Sequence, residues 1–292
     1  SNQPPVAHAA AAALQAAGVV PRAVDGTPSA DGLVGMVCLG MSNSSQEFED
    51  FERAIDLREA RNARLLITNT CAGGQSAELM DQPTDLYWTT LAPGRLAAAG
   101  IDPRQVQVGW MKQAFMQGPT TTFPAHAAAL RDALRAVVQV ARSSYPNLRL
   151  LYVSSRIYGG FLTVTPGSEP FTFENGFGIK WLIEQQIQGL PALNYDPAQG
   201  AVLAPLLLWG PYLWANGATP NGQGTTWLLA DFEADHLHPS ASGEAKVGAL
   251  LVGFFDAEPS AGWLAPMTDA HILRLQPVAD SYVDAALPNN NF

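Results

Sequence analysis

The sequence predicts an α/β protein, a three-layer α/β/α sandwich built on a parallel sheet of about five strands. Three observations lead there. Five short aliphatic or β-branched runs recur along the chain, helical segments separate them, and 292 residues at 47% hydrophobic content can bury one large core. Runs that are apolar throughout, rather than alternating, are those of strands covered on both faces.

In chain order, an Ala-rich helix over 7–17 comes first, and the first strand is read over 33–39. A helix over 46–61 follows, with acids in its first turn and Phe48, Phe51 and Ile55 at helical spacing. The second and third strands are placed at 64–70 and 106–111, a helix at 125–143, and the fourth strand at 148–154. A helix at 178–188, a fifth strand at 202–209 and a closing helix at 240–255 complete the set. That last helix opens on Pro239-Ser-Ala-Ser-Gly-Glu, a start signal. The Gly-, Pro- and Asn-rich stretches 159–175 and 210–224 read as long loops beyond strand ends, the natural walls of a cleft.

Composition removes several function classes. A formal charge of −10 with only 16 scattered Lys and Arg residues leaves no basic stripe for a phosphate backbone, so nucleic acid is not an expected partner. No apolar run reaches the length of a membrane span. There is no His-Glu-x-x-His motif or paired Cys/His set, so neither a metal nor any other cofactor is expected. Cys38 and Cys71 lie in or at the end of apolar runs and read as buried free thiols rather than a disulfide. The Gln3-Pro-Pro opening reads as a mature start after signal-peptide removal, which points to a secreted or periplasmic protein. Oligomeric state cannot be read.

Two segments carry chemistry. Val37-Cys-Leu-Gly-Met-Ser42-Asn-Ser is a buried strand ending in glycine, with a serine where a helix begins and where the positive helix end would face it. Ala234-Asp235-His-Leu-His238-Pro sets a carboxylate three residues before an imidazole. A tight turn there can orient the base from the same loop. His236 is the weaker choice of base because of its spacing to Asp235.

A strand-Gly-x-Ser early, Asp-x-x-His-Pro late and α/β alternation between them resemble a divergent branch of the SGNH/GDSL hydrolase superfamily over roughly residues 33–255. That resemblance implies a flavodoxin-like fold, Ser42 as nucleophile, His238 as base and Asp235 as its orienter. Asn69-Thr-Cys-Ala-Gly-Gly74 matches the second motif, so the backbone N–H groups of Ser42 and Gly74 are the implied oxyanion donors. The third motif departs. Val108-Gly-Trp-Met-Lys-Gln113 stands where the family has Gly-x-Asn-Asp, placing Gln113, or else Lys112, as the remaining donor.

Asn43, Trp110, Lys112, Arg156 and Tyr158 are expected to line the cleft, and Asp231 to make a structural hydrogen bond. His8, His126 and His271 are assigned no role. The domain is placed at 1–260. Residues 261–292 are a linker or tail whose Ala279-Asp-Ser-Tyr-Val-Asp and Pro288-Asn-Asn-Asn-Phe292 resemble the opening of an extracellular β-sandwich module. The expected activity is hydrolysis of short acyl esters, small-molecule or glycan-borne. Acyl transfer by the same triad and non-catalytic glycan binding are the alternatives.

Overall fold

The computed structural model describes residues 4–116, 121–162 and 167–267. Its centre is a five-stranded, all-parallel sheet in the order β2-β1-β3-β4-β5, formed by β1 (Val34–Gly40), β2 (Leu65–Thr68), β3 (Val106–Lys112), β4 (Leu150–Val153) and β5 (Leu206–Trp209). This is the doubly wound arrangement in which the crevice opens at the carboxyl ends of the strands, where the order reverses between β1 and β3.

Side chains of each strand alternate between two cores. Met36, Cys38, Trp110 and Tyr152 face one side, with α1 (Val6–Ala17), α2 (Ser42–Asp56) and α7 (Ala241–Ala257). Val37, Leu39, Met111 and Leu151 face the other, covered by α4 (Ala92–Ala99), α5 (Ala125–Ser144) and α6 (Phe171–Ile187). The short α3 (Ala77–Met80) and a π-turn at Tyr87–Leu91 precede α4.

The amphipathic helix after the first strand forms because Phe48, Phe51 and Ile55 all reach zero exposure against the sheet and α7. Phe48 stacks on Trp110 with ring centroids 5.7 Å apart, and Phe51 packs on Phe255 at 5.3 Å. Its first turn starts at Ser42, four residues before the expected boundary. α6 likewise begins at Phe171, so part of the expected 159–175 loop is helical.

The two cysteines do not stay free. Cys38 on β1 and Cys71 after β2 form a disulfide with Cα atoms 5.2 Å apart. The paired strands β1 and β2 bring the two residues into bridging range, which apolar flanking sequence could not reveal. At the other end of the chain, Ala261, Trp263 and Leu264 pack into the core, and Ser260 hydrogen-bonds the Tyr152 hydroxyl at 2.9 Å. The expected mature start, His271 and the sandwich-like tail motifs lie outside the described residues. Among the described residues no helix is long and apolar enough to cross a membrane.

Candidate active site

Ser42 stands where β1 ends and α2 begins. The junction is abrupt because Gly40 has no side chain: a Cβ there would lie 2.6 Å from the Ser44 side chain and 2.7 Å from the Lys112 carbonyl oxygen. Met41 is extended, and Ser42 opens the helix. First-turn amides have no acceptor within their helix, so the Ser42 N–H adds its partial positive charge to this end. Ser44 Oγ donates to the Lys112 carbonyl at 2.8 Å and locks the helix to β3.

The imidazole arrives on a tight turn closed by an antiparallel bridge between Phe232 and Pro239. Within it the Glu233 N–H donates to the His238 carbonyl at 2.8 Å, and His236 takes a left-handed φ of 58°. Asp235 shapes the turn with one oxygen and orients the ring with the other. Oδ1 accepts the N–H groups of Leu237 at 3.0 Å and His238 at 2.9 Å, while Oδ2 lies 2.6 Å from His238 Nδ1. His238 Nε2 is 2.7 Å from Ser42 Oγ.

Desolvation pushes the Asp235 carboxyl up, but the hydrogen bonds from the His238 ring and the two backbone N–H groups outweigh it and hold the group at about 2. An ionised Asp235 accepts the Nδ1 proton, which leaves Nε2 as acceptor for the serine hydroxyl. The chain of three groups can therefore draw the proton from Ser42 and stabilise the resulting imidazolium.

Gly74 reaches the same place from the loop after β2. Its φ of 74° is the left-handed region that glycine enters without penalty, and neighbouring Gly73 directs its Cβ position to 3.8 Å from Ser42 Cβ. This loop is firmly tied down. The disulfide joins its start to β1, Arg95 donates to the carbonyls of Asn69 and Cys71, and Asn69 Nδ2 donates to the Ser45 carbonyl at 2.8 Å.

Gln113 is not brought to the serine. Its Nε2 donates to the Gln75 carbonyl at 2.8 Å, and its Oε1 accepts the Ala114 N–H at 3.0 Å. The side chain, 1% exposed, thus braces the Gly74 loop from beneath. The Gln75 carbonyl and the Ala114 N–H satisfy both ends of its amide.

A cavity of about 350 Å³ opens at Ser42, Gly74 and His238, with a mainly apolar wall that includes Met41, Phe115, Leu130, Leu162, Phe171 and Leu237. Of the residues expected to line it, Asn43 and Arg156 do. The other three lie elsewhere, for separate reasons. Trp110 is fully buried and donates to Ser154 Oγ at 2.9 Å. Lys112, with no exposure, forms an ion pair with equally buried Glu47. Tyr158 packs edge-on against Phe161 at 5.2 Å. Asp231 accepts from Lys246 and from the Leu228 N–H at 2.8 Å.

Three further residues face the cavity: His126, Thr172 and Asn175. His126, 5% exposed, has its Nδ1 3.2 Å from Glu174 Oε2, and Asn175 Nδ2 donates to the Gln113 carbonyl at 2.8 Å. One sequence signal could have found them. They fall near the start of helices that follow parallel strands, and such helices begin at the carboxyl edge of the sheet.

Among solved structures the chain is similar to a candidate acylhydrolase from Bacteroides fragilis. Identity is 10%, coverage 82% of this chain and 91% of that one, and the TM-score 0.42. It is also similar to the salicylyl-acyltransferase of a tetracycline biosynthetic pathway, at 14% identity over 80% of this chain and 58% of the other, with a TM-score of 0.37. No family model matches the sequence, and no curated protein matches it.

Proposed function

We propose that the chain is a serine esterase of the SGNH type that hydrolyses short acyl esters through a covalent acyl-enzyme. The observation that carries this reading is the hydrogen-bonded series Ser42 Oγ to His238 Nε2 at 2.7 Å and His238 Nδ1 to Asp235 Oδ2 at 2.6 Å, set at the mouth of the apolar cavity. Ser42 Oγ attacks the ester carbonyl carbon while His238 Nε2 takes its proton. The oxyanion is held by the N–H groups of Ser42 and Gly74, aided by the positive end of α2. His238 returns the proton to the departing alkoxide, and the same groups then activate water against the acyl-enzyme. Gln113 would join the hole only by giving up its bond to the Gln75 carbonyl.

A cavity of about 350 Å³ suits a short acyl group, acetyl on a carbohydrate included, better than a long lipid chain. The Cys38–Cys71 disulfide supports an oxidising compartment, secreted or periplasmic. The test is hydrolysis of p-nitrophenyl acetate and butyrate by wild type beside Ser42→Ala. Wild-type turnover that the variant loses by about 10³-fold or more supports the reading. Equal rates in the two proteins would end it.

A further inference from the structure

Arg156 stands apart from the other charges of the interior. It follows β4, is 4% exposed and lines the cavity that holds Ser42 and His238. Its Nε and Nη1 are sealed from solvent without a hydrogen-bond acceptor. The acid acting on it is Glu47, whose Oε2 pairs with Lys112 and whose Oε1 is buried without a hydrogen-bond partner, while Arg156 makes no ion pair among the described residues. Desolvation pushes Glu47 up and Lys112 down, and their ion pair opposes both shifts. As an ion pair the two carry no net charge. One buried positive charge, permanent because it is a guanidinium, is left over at the cavity wall.

An uncompensated buried cation is costly and is seldom kept without a partner. The rest of the wall is largely apolar, and no side chain among the described residues accepts a hydrogen bond from Arg156 Nε or Nη1. We propose that Arg156 is the seat of a carboxylate carried by the substrate, making the preferred ester an anionic one with its carboxylate on the acyl or the alcohol half. The guanidinium would give the anion a charge-assisted hydrogen bond, and the apolar wall would pack the short carbon segment between that carboxylate and the ester. The assignment of the anion to a substrate rests on the esterase reading. The seat itself does not, and the test separates the two.

Binding is measured by calorimetry with glutarate and with its neutral analogue glutaramide, on wild type, Arg156→Gln and Arg156→Lys. Thermal unfolding of each protein reports its folding. Wild type should bind glutarate at least about tenfold more tightly than glutaramide, Arg156→Gln should lose that preference, and Arg156→Lys should regain part of it. Hydrolysis then locates the carboxylate. The matched pairs are p-nitrophenyl hydrogen glutarate against p-nitrophenyl valerate for the acyl half, and 4-acetoxybenzoate against 4-acetoxybenzamide for the alcohol half. One pair should show the same Arg156-dependent preference in kcat/KM.

If wild type does not prefer glutarate, or if a folded Arg156→Gln keeps the preference, the proposal is overturned and Arg156 serves only as electrostatic support for Glu47. The wild-type comparison decides this even if the variants do not fold. Glutarate binding at Arg156 in a protein without esterase activity would sustain the seat and remove the hydrolase reading; esterase activity without anion preference would do the reverse.

Discussion

Replacing Asp235 by Asn isolates what the orienting carboxylate does, because the turn can survive the change. Asn Oδ1 can still accept the N–H groups of Leu237 and His238, now at 3.0 and 2.9 Å from Asp235 Oδ1. The amide nitrogen then faces His238 Nδ1 across the former 2.6 Å contact. Two donors cannot share that contact, so the imidazole must place its proton on Nε2, where it points at Ser42 and can no longer accept the serine proton. Reversing the amide does not help, since it sets a donor against two backbone N–H groups. Losing a charge-assisted hydrogen bond of about 1.5–3 kcal/mol and imposing the wrong tautomer together amount to about 4 kcal/mol, or ~10³-fold in kcat/KM. The loss should fall short of the ~10⁴-fold of a buried triad carboxylate, since the Asp235 side chain is 51% exposed and water competes for Nδ1. Hydrolysis of p-nitrophenyl butyrate, with thermal unfolding as a control, measures it. An Asn variant with unchanged Tm and activity within about tenfold of wild type would refute the orienting role.

Acidification offers a second test: with Asp235 held at about 2, its ionisation persists throughout a profile from pH 4 upward, so activity lost on lowering the pH in that range should not come from that carboxyl, and an acid limb steeper than one proton would contradict this. The same depressed carboxyl adds stability that is fully present above the ordinary Asp range and lost as pH falls through about 2; urea midpoints of wild type and Asp235→Asn should therefore draw together below about pH 4 and converge only near pH 2. Cys38→Ala with Cys71→Ala opens a loop of 33 residues' separation and should cost about 3–4 kcal/mol, read from urea unfolding; a cost below about 1 kcal/mol would mean the disulfide constrains little. Lys112→Met strands Glu47 in the interior and should cost about 3–5 kcal/mol, whereas adding Glu47→Leu should restore much of that, a coupling that a double-mutant cycle measures.

The fold was legible because its physics is local and repetitive. Strands buried on both faces must be apolar throughout, and the Phe48, Phe51 and Ile55 stripe can belong only to a helix lying on a sheet. The serine and the Asp-x-x-His turn were legible for a related reason, since strand ends and helix starts in a parallel sheet collect at one edge. What the sequence hid were facts of distance. Cys38 and Cys71 are 33 residues apart, and only the β1–β2 pairing brings them together. The region between β2 and β3 holds α3, the π-turn and α4, and Pro93 and Gly94 in α4 mask its helical pattern. Gln113 matched its motif by register, but the Gln75 carbonyl and the Ala114 N–H decide where its amide goes. His126 had no motif at all, and its place beside the cavity comes from tertiary packing of α5 and α6.

Labelling of the native protein with a fluorophosphonate, followed by peptide mass spectrometry, tests Ser42 as the nucleophile most directly. One adduct is expected, on Ser42 Oγ, absent from Ser42→Ala and formed far more slowly in His238→Ala. No adduct on the folded protein, or an adduct on another residue, would contradict it.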